Sequence, residues 1–393
     1  MNPEPRVVLF ADSLLEVNGV ALTCRILEDF ARRRGLPLLV VHAGPETRQF
    51  TEGDLRRLSL KPSAFCLRLE NDLRFDLLFA RHLQLVVESV RAFQADAVHI
   101  TGANHTGFLG SLAAWRLGLP VVMSWHTNVH EYAGCRLPAW APRWLRKQVQ
   151  DWSWRGLALY YRQARLILAP NREIATALER DTGKPVYGMP RGVDCELFHP
   201  RKRDRADRTF LVGYVGRLSP EKCVRRLADV AHALLASGIG DFRIVIVGGG
   251  SEQAWLAANV PHARLPGVLK GEALARAYAN FDVFVFPSET DTYGNAVQEA
   301  MASGVPCVVM ARGGPASIVD DWVTGRVCRS AEELGAAVVE LARRPEIRRR
   351  LGEAARRAAE SRKWDAVGEI VWDAYRRAFQ QHAAARAEAR CVA

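Results

Sequence analysis

Residues 283–306 read Val283-Phe284-Val285-Phe286-Pro287-Ser288-Glu289-Thr290-Asp291-Thr292-Tyr293-Gly294-Asn295-Ala296-Val297-Gln298-Glu299-Ala300-Met301-Ala302-Ser303-Gly304-Val305-Pro306. Four β-forming apolar residues stop at a proline, which the interior of a sheet does not accommodate. A loop of acidic and hydroxyl side chains follows, Gly294 opens a short helix, and a second apolar run ends at Met310. Neither apolar run alternates with polar residues, so both faces of each strand are covered. Strand, helix and strand in that order make a unit of a parallel sheet flanked by helices.

The same alternation extends in both directions. Upstream, Leu211–Val215 and Ile244–Val247 are strand-like. Before them come Val7–Ala11, Leu38–Ala43, Ala97–Thr101, Val121–Trp125 and Leu166–Ala169. Between the two series lies Pro200–Arg208, a polar, basic segment with the composition of a linker. With 393 residues the chain exceeds one comfortable core. The reading is an α/β protein of two doubly wound domains, residues 1–198 and 199–365, followed by a helix over 366–393. In such sheets ligands bind outside the carboxyl ends of the strands.

Composition narrows the partners. The formal charge of +11 calls for an anionic partner, and nucleotide, nucleic acid or lipid surface all qualify. No RNP, zinc-finger or basic-zipper pattern accompanies it, so nucleic acid is not expected. The eight cysteines include no C-x-x-C pair and read as free thiols. No apolar run approaches the ~20 residues of a membrane span, and Met1–Arg6 has no leader-like character, so a cytoplasmic protein is expected.

Three stretches carry candidate chemistry. Val17-Asn18-Gly19-Val20 follows the first strand and leads into a helix, where backbone amides can meet an anion or simply form a tight turn. Gly216-Arg217-Leu218-Ser219-Pro220-Glu221-Lys222 puts two cations around a turn, either to converge on a diphosphate or to sit on the surface. In the opening stretch, Asp291 and Glu299 stand at D-x7-E spacing around the helix start at Gly294. Two carboxylates aimed at one cleft can hold vicinal hydroxyls of sugars; either could equally be an ordinary surface acid. His126 and His130 stand four apart, but the surrounding sequence is not H-E-x-x-H and no metal is expected there.

Phe286–Pro306 together with Gly216–Lys222 resembles the retaining GT-B glycosyltransferases of the family 4 type, and the resemblance spans nearly the whole chain. It takes in the Asn18-Gly19 loop, Ser124-Trp125-His126-Thr127, Arg191-Gly192-Val193-Asp194, Val247-Gly248-Gly249-Gly250, Leu269-Lys270-Gly271-Glu272 and Trp364-Asp365. The carboxylate motif with its Glu-Ala-Met-Ala-x-Gly-x-Pro tail is the specific part. The resemblance implies two Rossmann-like domains facing a central cleft, the first on the acceptor side, the second binding a nucleotide-diphosphate sugar as co-substrate. It also implies that the last helix returns to the first domain.

By the same resemblance Arg217 and Lys222 neutralise the diphosphate, Glu299 holds the ribose and Asp291 the transferred sugar. Thr292, Tyr293, Gly294 and Asn295 line the donor site, and Leu269 lies where backbone groups read the base. Asn18 and Gly19 close over the phosphates, while His126 orients the sugar or relays a proton. The family's commonest motif has Glu where this chain has Asp291, although branches with Thr-Asp-Thr-(Phe/Tyr)-Gly share the aspartate; the shorter arm bears on donor choice. No D-x-D occurs, which fits a metal-independent reaction without further cofactor. A GT-B nucleotide-sugar epimerase or a catalytically inactive sugar-nucleotide binder has the same architecture.

Residues 138–165 mix Trp140, Trp144, Trp152, Trp154, Tyr160 and Tyr161 with Arg143, Arg146, Lys147, Arg155, Arg162 and Arg165. A basic, Trp-rich helix can lie on an anionic membrane, or its aromatics can pack inward while its cations snorkel outward. The similar branches, sulfoquinovosyl-diacylglycerol synthases and phosphatidylinositol mannoside mannosyltransferases, act on lipid acceptors. That implies a lipid or glycan acceptor and attachment to the inner face of the cell membrane.

Overall fold

The computed structural model describes residues 4–11, 14–15, 19–52, 55–68, 74–76, 78–131 and 141–392. Its strands are β1 (Val7–Ala11), β2 (Leu38–Ala43), β3 (Arg48–Glu52), β4 (Leu55–Leu60), β5 (Cys66–Arg68), β6 (Arg74–Asp76), β7 (Ala97–Ile100), β8 (Val121–Ser124), β9 (Leu166–Ala169) and β10 (Val186–Gly188), then β11 (Phe210–Val215), β12 (Phe242–Val247), β13 (Ala263–Gly267), β14 (Val283–Phe286), β15 (Cys307–Met310) and β16 (Gly325–Cys328). The helices are α1 (Gly19–Arg34), α2 (Leu83–Ala92), α3 (His105–Leu117), α4 (Arg143–Tyr161), α5 (Arg172–Thr182), α6 (Arg226–Ala236), α7 (Gln253–Asn259), α8 (Gly271–Asn280), α9 (Asn295–Ala302), α10 (Ala331–Arg343), α11 (Pro345–Glu360) and α12 (Trp364–Val392).

Two compact units result. The first comprises Met1–Thr127, Asp151–Pro190 and Asp365–Ala393; the second Asn128–Gln150 and Arg191–Trp364. The first unit's sheet runs β10-β9-β8-β7-β1-β2-β4-β3, parallel apart from β3, which pairs antiparallel to β4. The second runs β13-β12-β11-β14-β15-β16 and is parallel throughout. The central strands β1, β7, β8, β9, β14 and β15 are buried along their whole length, as strands covered by helices on both faces must be.

The division differs from a boundary at 198/199. Val193 and Phe198 join the second unit's core. The basic segment that reads as a linker is tied down: Arg203 and Arg205 hold Asp282 at 2.9 and 3.2 Å, and Lys202 holds Glu272 at 2.7 Å. Cations that look solvated in the sequence are here spent on carboxylates of their own unit.

The long α12 packs within the first unit. Trp372 and Tyr375 are buried, Trp372 lies against Phe30 of α1 with ring centroids 5.8 Å apart, and a side chain at Gly368 would run into the Phe30 ring at 2.5 Å. Exposed ion pairs Arg33–Asp365 (2.6 Å) and Arg34–Glu369 (3.0 Å) flank this contact.

Candidate active site

The strand order of the second unit reverses between β11 and β14, the kind of switch point at which α/β sheets bind ligands. The loops leaving β11, β12, β14 and β15 are stitched together there through their backbones. Gly216 N–H donates to Val247 O (3.0 Å), Leu218 N–H to Gly249 O (3.0 Å) and Gly314 N–H to Asp291 O (2.6 Å). Thr290 Oγ1 donates to Glu221 O (3.0 Å).

Lys222 closes a short 3-10 turn, Pro220–Lys222, whose proline presets the backbone at its first position. Its ammonium donates to Asp291 Oδ1 at 2.6 Å, and both side chains are largely buried, 14% and 19% exposed. Lys222 and Asp291, 69 positions apart in sequence, thus form one charge pair. The other carboxylate oxygen, Asp291 Oδ2, is buried with no hydrogen-bond partner. A buried acceptor left unsatisfied costs about 1–3 kcal/mol, and such atoms are rare in folded proteins unless a ligand completes them. Arg217 is exposed, and Tyr214 Oη donates to its carbonyl (2.9 Å).

Gly294 adopts φ 103°, a conformation that side chains resist, and caps α9 without any side-chain hydrogen bond. The helix start is thereby left open, with its dipole favouring an anion. Thr292 and Asn295 are half-buried on either side of this turn, while Tyr293 is buried. Tyr293 Oη and Gln298 Nε2 both donate to Arg191 O (3.3 and 3.2 Å), pinning the loop to the Arg191-Gly192-Val193-Asp194 stretch. One turn into α9, Glu299 accepts from Tyr278 Oη at 2.8 Å. Burial pushes the Glu299 carboxyl up to about 7, against the opposing pull of the Tyr278 hydrogen bond. Leu269 is half-buried with its side chain packed on the core.

The remaining candidates belong to the first unit. Gly19 is exposed at the first position of α1, and Thr23 Oγ1 donates to its carbonyl (2.8 Å). Asn18 lies outside the described residues. His126 follows β8, its Nε2 lying 2.7 Å from Ser124 Oγ.

Several site residues carry no signature in the sequence. Tyr278 sits in an Ala-rich helix and is legible only as a core aromatic. Arg226 bridges to Glu289 (2.7 Å) and to Pro287 O (3.3 Å), bracing the loop from behind. The Gly313-Gly314-Pro315 turn after β15 was the one available signal, since two glycines and a proline following a strand mark a tight turn.

The aromatic, basic stretch divides. Trp154 packs on Trp125 (5.4 Å) and donates to Asp181 (2.7 Å), Tyr161 is buried, and Tyr160 bonds Ser111 (3.0 Å). Trp144 and Trp152 instead remain 67% and 61% exposed, whereas residues 138–140 lie outside the described set. Among the described residues no helix is long and apolar enough to cross a membrane.

A model of glycosyl transferases group 1 matches residues 197–358, and a model of glycosyltransferase family 4 matches residues 17–197. A GDP-mannose-dependent alpha-mannosyltransferase of Mycolicibacterium smegmatis is 34% identical over 379 residues, covering 92% of this chain and 94% of that one. A sulfoquinovosyl transferase of Arabidopsis thaliana is 30% identical over 302 residues, 72% of this chain and 56% of that one. Sucrose-phosphate synthase from Thermosynechococcus elongatus shares the fold, with a TM-score of 0.74 at 19% identity over 95% of this chain and 99% of that one.

Proposed function

The chain belongs to the family 4 glycosyltransferases, enzymes of the GT-B fold that transfer a hexose from a nucleotide-sugar donor; from that premise we propose that it moves mannose from GDP-mannose to a lipid or glycan acceptor, with retention at the anomeric carbon and without a metal ion. The observation that carries this reading is the Lys222–Asp291 pair with its orphaned Oδ2, standing beside the open start of α9. It offers an anion site and an unsatisfied hydroxyl acceptor side by side, which suits a sugar joined to a diphosphate. The donor identity follows the mannosyltransferase similarity.

Breaking the anomeric bond leaves negative charge on the diphosphate. Arg217, Lys222 and the α9 amides stabilise it, and an ammonium with three donors can hold Asp291 and a phosphoryl oxygen together. Preorganised cations of this kind remove the need for a metal. Asp291 Oδ2 accepts from the sugar, Glu299 from the ribose, and backbone around Leu269 meets the base. By the family resemblance, Asn18 and Gly19 serve the phosphates and His126 the sugar. Retention follows if the departing phosphate assists the acceptor hydroxyl on the face it leaves.

The lipid alternative for the acceptor draws support from the first unit's surface. Phe108, Leu112 and Trp115 stand at i, i+4 and i+7 on α3, 41%, 43% and 83% exposed, and the Phe108 ring packs at a tilt against Tyr160 of α4 (4.7 Å). Leu159 and Trp152 of α4 are also exposed, amid Arg155 and Arg162. Apolar side chains ringed by cations fit an anionic bilayer surface.

Thermal shift against GDP, UDP and ADP and their sugar conjugates tests the donor. Ligand at 100 times its Kd adds about 2.7 kcal/mol. A raised midpoint with GDP and GDP-mannose alone is the expected result; a response confined to UDP or ADP sugars would overturn the donor assignment.

A further inference from the structure

Within the second unit, Glu299 of α9 is held by a side chain from another helix. Tyr278 lies on the inner face of α8 with Ala275 and Ala279, all three buried. Its ring packs on those of Phe198, Phe281 and Phe284, with centroids 5.5, 5.8 and 5.6 Å away. A hydroxyl buried in such surroundings needs a partner within the protein. The partner is 21 positions away in sequence: Tyr278 Oη donates to Glu299 Oε2 at 2.8 Å. Among the described residues this is the one hydrogen bond that either side chain makes.

The groups around this pair leave the phenol as its main electrostatic partner. α9 is packed by α8, α11, β14 and β15. β14, Val-Phe-Val-Phe, brings no titratable side chain. From β15 the Cys307 thiol donates to Val297 O, and burial pushes it up, so it stays neutral. From α11 Arg356 is held by the carbonyls of Cys195, Phe198 and Ala302, and Arg362 beyond it by Met301 Sδ and Ile318 O. At the start of α8, Glu272 is paired with Lys202. Burial, reinforced by the neighbouring carboxylate, pushes the Tyr278 phenol well above its ordinary value, so it keeps its proton and donates it. Of these groups it is the one that favours the ionised carboxylate against the cost of burial.

We propose that Tyr278 is a positioning residue of the donor site: by taking Oε2 it fixes the rotation of the Glu299 carboxylate and leaves Oε1 as the acceptor for a ligand hydroxyl. The proposal rests on the reading that puts Glu299 at the ribose, and it adds to that reading the residue that orients the acceptor. Tyr278→Phe keeps the ring and its aromatic contacts and removes only the donor.

Carbon-13 NMR of the full-length protein labelled at the glutamate carboxyl tests this without any ligand, with Glu299→Gln assigning the resonance. The Glu299 carboxyl is expected to titrate near its value of about 7 in the wild type. In Tyr278→Phe its midpoint should rise by about one to two pH units, the effect of losing a hydrogen bond to a charged group. Binding supplies the second readout. GDP should bind Tyr278→Phe roughly fivefold or more weakly at pH 7, because less of the carboxylate is ionised, and the deficit should shrink towards pH 9, whereas 2′,3′-dideoxy-GDP should bind both proteins alike. If Tyr278→Phe does not fold, labelling at tyrosine Cζ replaces it: one wild-type tyrosine signal is expected to titrate with the Glu299 midpoint and to stop doing so in Glu299→Gln. A midpoint unmoved by Tyr278→Phe, or no tyrosine signal that follows Glu299, would overturn the proposal. Equal binding of GDP and dideoxy-GDP by the wild type would instead overturn the ribose reading, and the spectra would still decide what Tyr278 does to Glu299.

Discussion

Glu299 is the residue whose chemistry is most exposed to experiment, because its carboxyl titrates near neutrality. Its folded-state value of about 7 lies above the usual carboxylate value, so the folded protein holds this proton more tightly than the unfolded chain. The associated stability is present in full below pH ~4.5 and is lost as pH rises through about 7. In the proposed role at the ribose, by contrast, the ionised Glu299 carboxylate is the stronger acceptor. Donor affinity is therefore expected to rise between pH 6 and 8, as titration calorimetry would measure. Glu299→Gln should bind donor more weakly, lose that pH dependence, and be more stable than wild type above pH 7; an unchanged pH profile in the variant would remove Glu299 from the ribose. The two cations should also part company. Lys222→Ala leaves a buried Asp291 without its partner, so it should lower both Tm and turnover, the latter by roughly 10²-fold or more. Arg217 is exposed, and Arg217→Ala should cost similar turnover with little change in Tm.

At the scale of elements, α12 is where packing and surface charge can be told apart. Gly368→Ala drives a methyl into the Phe30 ring, and overpacking of this kind typically costs about 1–3 kcal/mol. The exposed Arg33–Asp365 pair contributes at most about 1 kcal/mol. Denaturant unfolding of Gly368→Ala and Arg33→Ala should therefore rank them in that order, and the reverse order would mean that charge holds the helix. Which elements were legible in the sequence follows the same physics. Val7–Ala11, Leu166–Ala169 and Val283–Phe286 are apolar throughout because both faces are covered, so their bounds can be read directly, and Leu38–Ala43 reads the same way apart from its buried His42. β3 (Arg-Gln-Phe-Thr-Glu) and β4 (Leu-Arg-Arg-Leu-Ser-Leu) escaped because they lie at the sheet's end and carry cations. β13 and β16 are edge strands of mixed exposure and escaped likewise. In the site, the D-x7-E spacing exposed Asp291 and Glu299, but nothing local could tell that Lys222 would hold Asp291 or that Tyr278 would hold Glu299. Those contacts depend on the sheet bringing distant loop ends together.

At the scale of the whole molecule, the charge of +11 and the exposed aromatics have a shared consequence. Co-sedimentation with vesicles is expected to need anionic lipid and to weaken in Phe108→Ser/Trp115→Ser or Arg143→Glu/Arg146→Glu/Lys147→Glu variants, whereas equal binding to neutral vesicles would argue for a glycan acceptor in solution. The first unit carries His126, and the second carries Lys222, Asp291 and Glu299. The measurement that bears most directly on the function is transfer itself. The protein is incubated with GDP-mannose and a lipid and glycan extract in the presence of EDTA, and the anomeric proton of the product is followed by NMR. The expected result is GDP release with an α-linked mannoside, undiminished by EDTA; a β-linked product, or transfer abolished by chelation, would contradict it.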